Sequence, residues 1–188
     1  MAKFNRRQLF KLKLNDIVKC LHEEEVGNDN YLIRPPGAIG ETEFLNKCER
    51  CHKCLEACEY DSISTLSASF GKLELTPILN PEFTACHLCS DFPCIKACPS
   101  GALQDSLKNI SMATVEFNHE NCLNSHGTLC DTCAMNCPHT VKAITMEGPF
   151  HKRLPVLNDN QCLGCGLCIY YCDEPNAITI KKTRQFIL

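Results

Sequence analysis

The chain has no tryptophan, and aromatic residues of all kinds make up only 7% of its 188 residues. No stretch is apolar for the roughly 20 residues that a membrane-spanning helix needs. A Gly-rich phosphate loop, a dinucleotide fingerprint and a convincing base–nucleophile pair are also missing. These absences count against nucleotide-dependent and covalent catalysis and against a helical membrane span. The hydrophobic fraction of 44% includes 17 cysteines, so the ordinary apolar content is lower. The core is thin for this length, and metals are one way that small cores are reinforced.

What is present is cysteine in a repeated pattern. Cys162, Cys165, Cys168 and Cys172 follow C-x2-C-x2-C-x3-C, the spacing that holds a [4Fe–4S] cluster in bacterial ferredoxins. Cys48, Cys51, Cys54 and Cys58 repeat it unchanged. Cys86, Cys89, Cys94 and Cys98 widen the second gap to four, and Cys122, Cys130, Cys133 and Cys137 widen the first to seven. Sixteen of the 17 cysteines fall in these motifs; Cys20 stands apart. Thiolates are soft ligands that suit iron–sulfur clusters. Gly164 and Gly166 suit a loop whose backbone passes close to an inorganic core, with positive φ. Structural zinc sites pair two short cysteine spacings across a longer gap, whereas each loop here carries three cysteines. A disulfide framework requires export. Arg6-Arg7 resembles a twin-arginine signal, but Lys13, Asn15, Asp16 and Lys19 interrupt the apolar region that should follow. The expectation is a cytoplasmic protein.

Charge is uneven. Residues 1–22 carry a net +5 and the remainder −8, within a total of −3. An acidic, cluster-bearing body does not suit nucleic acid. Leu9, Phe10, Leu12, Leu14, Ile17, Val18 and Leu21 give helical periodicity, which predicts an amphipathic helix over about residues 6–22. Cys20 lies within it and reads as a small buried hydrophobe. Arg34-Pro35-Pro36-Gly37 predicts extended chain at the entry to the cluster region.

From residue 44 the chain repeats with a period near 37: a lead-in, a cysteine loop, one helical turn and a return. Val115-Glu116-Phe117 and Pro155-Val156-Leu157 predict lead-in strands. The returns carry Ile63, Leu103, Ile144 and Ile178, each placed to cover a cluster. Ser67 to Leu79 and Ser106 to Val115 read as surface connections. Lys181-Lys182-Thr183-Arg184 reads as a solvated basic tail. His52 and His87 fall inside motifs, where a ring N–H could reach cluster sulfur, although exposed loop histidines without a role are the simpler expectation.

Arg34-Pro35-Pro36-Gly37-Ala38, the Cys48 loop with Tyr60-Asp61, the segment from Cys86 to Leu103 ending Cys-Pro-Ser-Gly-Ala-Leu, Glu120-Asn121-Cys122-Leu123-Asn124 and the final Cys-x-Gly-Cys-Gly loop resemble the NapG and MauM ferredoxin-type proteins. The resemblance spans about residues 32–181. It implies four [4Fe–4S] clusters, the sixteen motif cysteines as their ligands, and electron traffic between quinol oxidation and redox enzymes. The chain is also similar to polyferredoxin subunits of cytoplasmic tungsten- or molybdenum-dependent aldehyde oxidoreductases, a role that suits its N-terminus better than the exported one.

The expected fold is α+β: two 2[4Fe–4S] ferredoxin-like modules of short strands and helices, preceded by an N-terminal helix and linker (1–33). In two-cluster ferredoxins each motif lends its fourth cysteine to the other cluster. The first and fourth motifs share regular spacing and end in acids, Glu59 and Asp173. The second and third carry widened gaps and end in prolines, Pro99 and Pro138. That likeness predicts nested pairing within 34–188: an outer module of 44–70 with 155–181 and an inner module of 80–150. Cys48, Cys51 and Cys54 would then take Cys172, and Cys162, Cys165 and Cys168 would take Cys58. Cys86, Cys89 and Cys94 would take Cys137, and Cys122, Cys130 and Cys133 would take Cys98. The functional expectation is a non-catalytic subunit relaying single electrons between a larger cofactor-bearing oxidoreductase subunit and a small carrier or further copies of itself. Alternatives are a maturation factor for a molybdo- or tungstoenzyme, a quinol-linked carrier, and a cluster-stabilised scaffold.

Overall fold

The computed structural model describes residues 32–183. The expected N-terminal helix and Cys20 lie outside the described residues. Among the described residues five short α-helices are present: α1 (Glu41–Lys47), α2 (Lys53–Glu56), α3 (Pro93–Lys96), α4 (Thr132–Met135) and α5 (Leu167–Tyr171). Six strands accompany them: β1 (Ile63–Thr65), β2 (Pro77–Leu79), β3 (Ala113–Phe117), β4 (Ile144–Glu147), β5 (Leu154–Leu157) and β6 (Ile178–Thr183). The α+β expectation holds at this level.

Helices α2 to α5 each carry the third cysteine of a motif, and the fourth follows one or two residues after the helix ends. A turn or so of helix is far too short to persist alone, so packing must hold these. Three begin from a left-handed residue: His52 at φ 61°, Phe92 at φ 45° and Gly166 at φ 81°. Such a residue turns the chain sharply from the cysteine loop into the helix.

The strands show how the motifs combine. In the first half, β1, the return of the first motif, pairs antiparallel with β2, the lead-in of the second, with Ile63 opposite Leu79. Ala38, ahead of the first motif, bridges Leu103, behind the second. The second half repeats this scheme. The return of the third motif, β4, pairs with the lead-in of the fourth, β5, and lead-in β3 pairs with the final return, β6. Each module therefore joins consecutive motifs. This overturns the nested pairing, together with the outer module of 44–70 with 155–181 and the inner module of 80–150. Only eleven residues separate β1 from β2, and six separate β4 from β5. Closing so short a loop costs less entropy than closing one across the whole chain.

The modules meet through backbone. The Cys86 amide donates to the Cys165 carbonyl at 2.9 Å, and that of Met112 to the Leu163 carbonyl at 3.0 Å. Gly164, at φ 73°, lies so close to Ala113 that an added Cβ would sit 2.3 Å from its amide nitrogen. Gly166 faces Pro81 at the same notional distance. Both glycines have the positive φ that the sequence predicts. The close approach that demands them is between modules.

Other details depart from expectation. Pro35 to Ala38 forms a turn, closed by the Ala38 amide donating to the Pro35 carbonyl at 3.2 Å. The turn brings Gly37 within 2.6 Å of the Gln104 carbonyl, measured from a notional Cβ. Arg34 is fully buried: Nε donates to Glu41 at 3.0 Å, Nη1 donates to Thr76 Oγ1 at 2.8 Å and to the Pro77 carbonyl at 2.9 Å, and the guanidinium lies 4.7 Å from the Phe44 ring centre. Nη2 completes a bidentate pair with Glu41. The supposed surface connections are partly interior, since Thr76, Leu79, Met112, Ala113 and Val115 are buried. Thr76 is held inside by Arg34. Lys181 to Thr183 belong to β6 and are not a free tail.

Candidate metal centres

The main core gathers Ile33, Phe44, Ile63, Leu79, Ile95 and Leu103 around Cys86 and Cys94. A smaller one gathers Val115, Ile144, Ala177 and Ile178 around Cys168. All four return residues named from the sequence, Ile63, Leu103, Ile144 and Ile178, are buried against cysteines.

The cysteines form four quartets. Cys48, Cys51, Cys54 and Cys98 line one apolar cavity. Cys86, Cys89, Cys94 and Cys58 line a second. Cys122, Cys130, Cys133 and Cys172 line a third. Cys162 packs beside Cys137, and the thiols of Cys162, Cys165 and Cys168 all feel that of Cys137. Each fourth cysteine thus crosses to the adjacent motif. The expected neighbours are replaced: Cys98 for Cys172, Cys58 for Cys137, Cys172 for Cys98 and Cys137 for Cys58.

Burial chiefly, then neighbouring thiols, pushes Cys54, Cys86 and Cys133 up to about 12 and Cys94 and Cys165 up to about 11. Cys168, the most enclosed of the set, is raised by the same causes. Such thiols stay neutral near pH 7 unless a cation draws the proton off.

These residues fit iron–sulfur clusters. Among the described residues no three His, Cys, Asp or Glu side chains converge on one point as ligands of a single ion would. The thiols stand around cavities, as a polynuclear core requires. Backbone amides donate to cysteine sulfurs: Ser62 N–H to Cys58 Sγ (3.3 Å) and Ala143 N–H to Cys137 Sγ (3.2 Å). The two contacts occupy equivalent places in the two modules, and donors of this kind tune a bound cluster.

The widened motifs keep this geometry by local means. The extra residues of the third motif fold into a short helical turn, Leu123–His126, ended by Gly127 at φ 82°. Buried Asn124 clamps the excursion: its Oδ1 accepts from the Cys130 amide at 2.9 Å and its Nδ2 donates to the Cys130 carbonyl. In the second motif Phe92 and Pro93 turn the longer gap directly into α3. Sequence reasoning missed Asn124 and Arg34. Asn124 stands just after Cys122, where only the unusual gap hinted at a clamp. His87 stacks on Tyr60 with ring centres 3.8 Å apart, and both line the second cavity; burial lowers the His87 pKa.

Sequence comparison places the chain among ferredoxin-type proteins. The chain is 38% identical over 163 residues to the ferredoxin-type protein NapG of Escherichia coli K12, covering 81% of this chain and 71% of that protein. The chain belongs to the NapG and MauM ferredoxin-type family. The methylamine utilization ferredoxin-type protein MauM of Methylorubrum extorquens is 38% identical over 148 residues, 74% of this chain and 67% of that protein. The ferredoxin-type protein NapF of Haemophilus influenzae is 30% identical over 183 residues, 96% of this chain and 95% of that protein. No family profile matches the chain. As a member of the NapG and MauM family it is a non-catalytic, ferredoxin-type electron carrier, and its cysteines are those of an iron–sulfur protein.

Proposed function

We propose that the chain holds four [4Fe–4S] clusters, one in each quartet, with the sixteen motif cysteines as ligands. It serves as a relay of single electrons between a catalytic redox subunit and a second carrier. Each such cluster, when bound, accepts and returns one electron. The protein's own part is to space the quartets, exclude water and leave the ends of the series accessible.

The observation that carries this reading is the serial order of the quartets. Cys54 of the first feels Cys94 of the second. Cys86 of the second feels Cys165 of the fourth, beside the hydrogen bond that joins those two residues. Cys168 of the fourth feels Cys133 of the third. The order in space is first, second, fourth, third. At one end Cys51 is exposed. At the other, Leu129 and Met135 lie within the third motif and are 60% and 72% exposed. A scaffold has no need of a continuous series, whereas a relay does.

The partner we favour is a larger tungsten- or molybdenum-bearing oxidoreductase subunit, by similarity to the polyferredoxin subunits of such enzymes. We propose a cytoplasmic location, that of the aldehyde oxidoreductases whose polyferredoxin subunits the chain is similar to. Anaerobic analysis tests the cluster reading, with an expected content of about 16 iron and 16 sulfide per chain. A content near 8, or zinc in place of iron, sinks it. Purification under native conditions, followed by metal analysis of the accompanying large subunit, tests the partner. Absence of molybdenum and tungsten there overturns that part alone.

A further inference from the structure

One polar atom in the first quartet's surroundings has nothing to bind. His52 lines the cavity formed by Cys48, Cys51, Cys54 and Cys98. Its Nε2 exposes less than 1 Å² and is the buried side-chain nitrogen or oxygen without a hydrogen-bond partner among the described residues. Leaving such an atom unpaired is unfavourable, and buried polar groups otherwise find partners. The residue is also held in a costly backbone shape. At φ 61° it is left-handed and leads directly into α2, which carries Cys54. A non-glycine residue there is uncommon. The apolar neighbours Phe44, Leu55, Ala102 and Leu103 line the same cavity, so water is a poor candidate for the missing partner.

We propose that Nε2–H of His52 donates a hydrogen bond to a sulfur of the cluster in the first quartet, and that this contact sets the potential of the terminal cluster. The inference rests on the cluster reading above. The cavity's own sulfurs, thiolate or inorganic, are the acceptors that the site supplies. A donor to sulfur offsets negative charge, and the reduced cluster carries one charge more than the oxidised one. The contact therefore favours reduction and raises the potential. The position after the second cysteine holds Ser90, Asp131 or Gly166 in the other motifs, so this contact belongs to the first quartet; His87, in the second cavity, stacks on Tyr60.

The test uses the whole protein, anaerobically reconstituted, with EPR-monitored redox titration of all four clusters. His52→Asn tolerates the left-handed backbone but is too short to reach; His52→Gln keeps a long N–H donor. Losing one hydrogen bond of ordinary strength shifts the reduction equilibrium about tenfold, or about 59 mV for one electron. The expected result is a fall of that order in one cluster's potential in His52→Asn, with partial recovery in His52→Gln and the other three clusters unmoved. Unchanged potentials in both variants overturn the proposal. A second measurement does not depend on how the variants fold. With 15N-labelled histidine, the unsubstituted protein should show a nitrogen coupling and an exchangeable proton coupling on one reduced cluster, and their absence also overturns it. Failure of the cluster reading is distinct, because it leaves the unsubstituted protein short of iron.

Discussion

At the scale of single residues, the cysteines do two jobs. With iron they are ligands. Without it, burial keeps Cys54, Cys86 and Cys133 neutral up to about pH 12, and neutral thiols pack as small hydrophobes. The sign of the pH dependence follows. An unfolded thiol titrates near 8.5, so between that pH and about 12 the unfolded chain has released protons that the folded chain keeps. Stability of the iron-free protein is fully present below this window and falls as pH rises through it. Anaerobic denaturant melts of iron-free protein at pH 8 and pH 10.5 should show a lower midpoint at the higher pH, and equal midpoints would refute the assignment. The cysteines also differ in role. Cys165→Ser should lower iron content and weaken the fold, because its thiol joins a quartet and packs against the main core. Cys20→Ser should leave iron content unchanged. Iron-to-protein ratios on both variants decide this.

At the scale of elements, the motifs rest on supports that carry no iron. Arg34 is the largest. Its guanidinium ties the entry segment to α1 through Glu41 and to the approach to β2 through Thr76 and Pro77. Removing one partner of a buried ion pair costs about 3–5 kcal/mol, because it strands the other charge. Arg34→Ala should therefore lose stability on that scale in denaturant melts, while Arg34→Met with Glu41→Leu should recover much of it. A loss below about 1 kcal/mol for Arg34→Ala would show that water enters to solvate Glu41. Strands β3 and β5 were legible in the sequence as short β-branched and apolar stretches, and the buried return residues because an aliphatic side chain falls five to seven residues after each last cysteine. Arg34 was read only as the start of a Pro-Pro-Gly segment. Its burial depends on Glu41 and Thr76, and no local pattern announces partners 7 and 42 positions away. Segments 67–79 and 106–115 looked like surface for a similar reason. Their buried residues are short stretches that meet Arg34 or the facing strand.

At the scale of the whole molecule, the motif count and the sixteen cysteines were legible, but their pairing was not. Likeness between motifs pointed to nesting. That likeness turns out to be local, since the extra residues of the third motif are absorbed by Asn124 and those of the second by Phe92 and Pro93. Each module instead unites one regular motif with one widened one. The short chain between β1 and β2, and between β4 and β5, decides which motifs meet, and spacing within a motif carries no information about that. The pairing has a direct spectroscopic consequence under the four-cluster reading. Cys98 shares a cavity with Cys54, and Cys137 lies within electrostatic reach of Cys165 and Cys168. Cys98→Ser and Cys54→Ser should then perturb the same component of the reduced EPR spectrum, and Cys137→Ser the same component as Cys168→Ser. Serine is a poorer ligand than thiolate, so each variant should lose or shift one cluster of four and leave three. If Cys98→Ser instead altered the component altered by Cys133→Ser, the nested scheme would be restored and the serial order of quartets would fall with it.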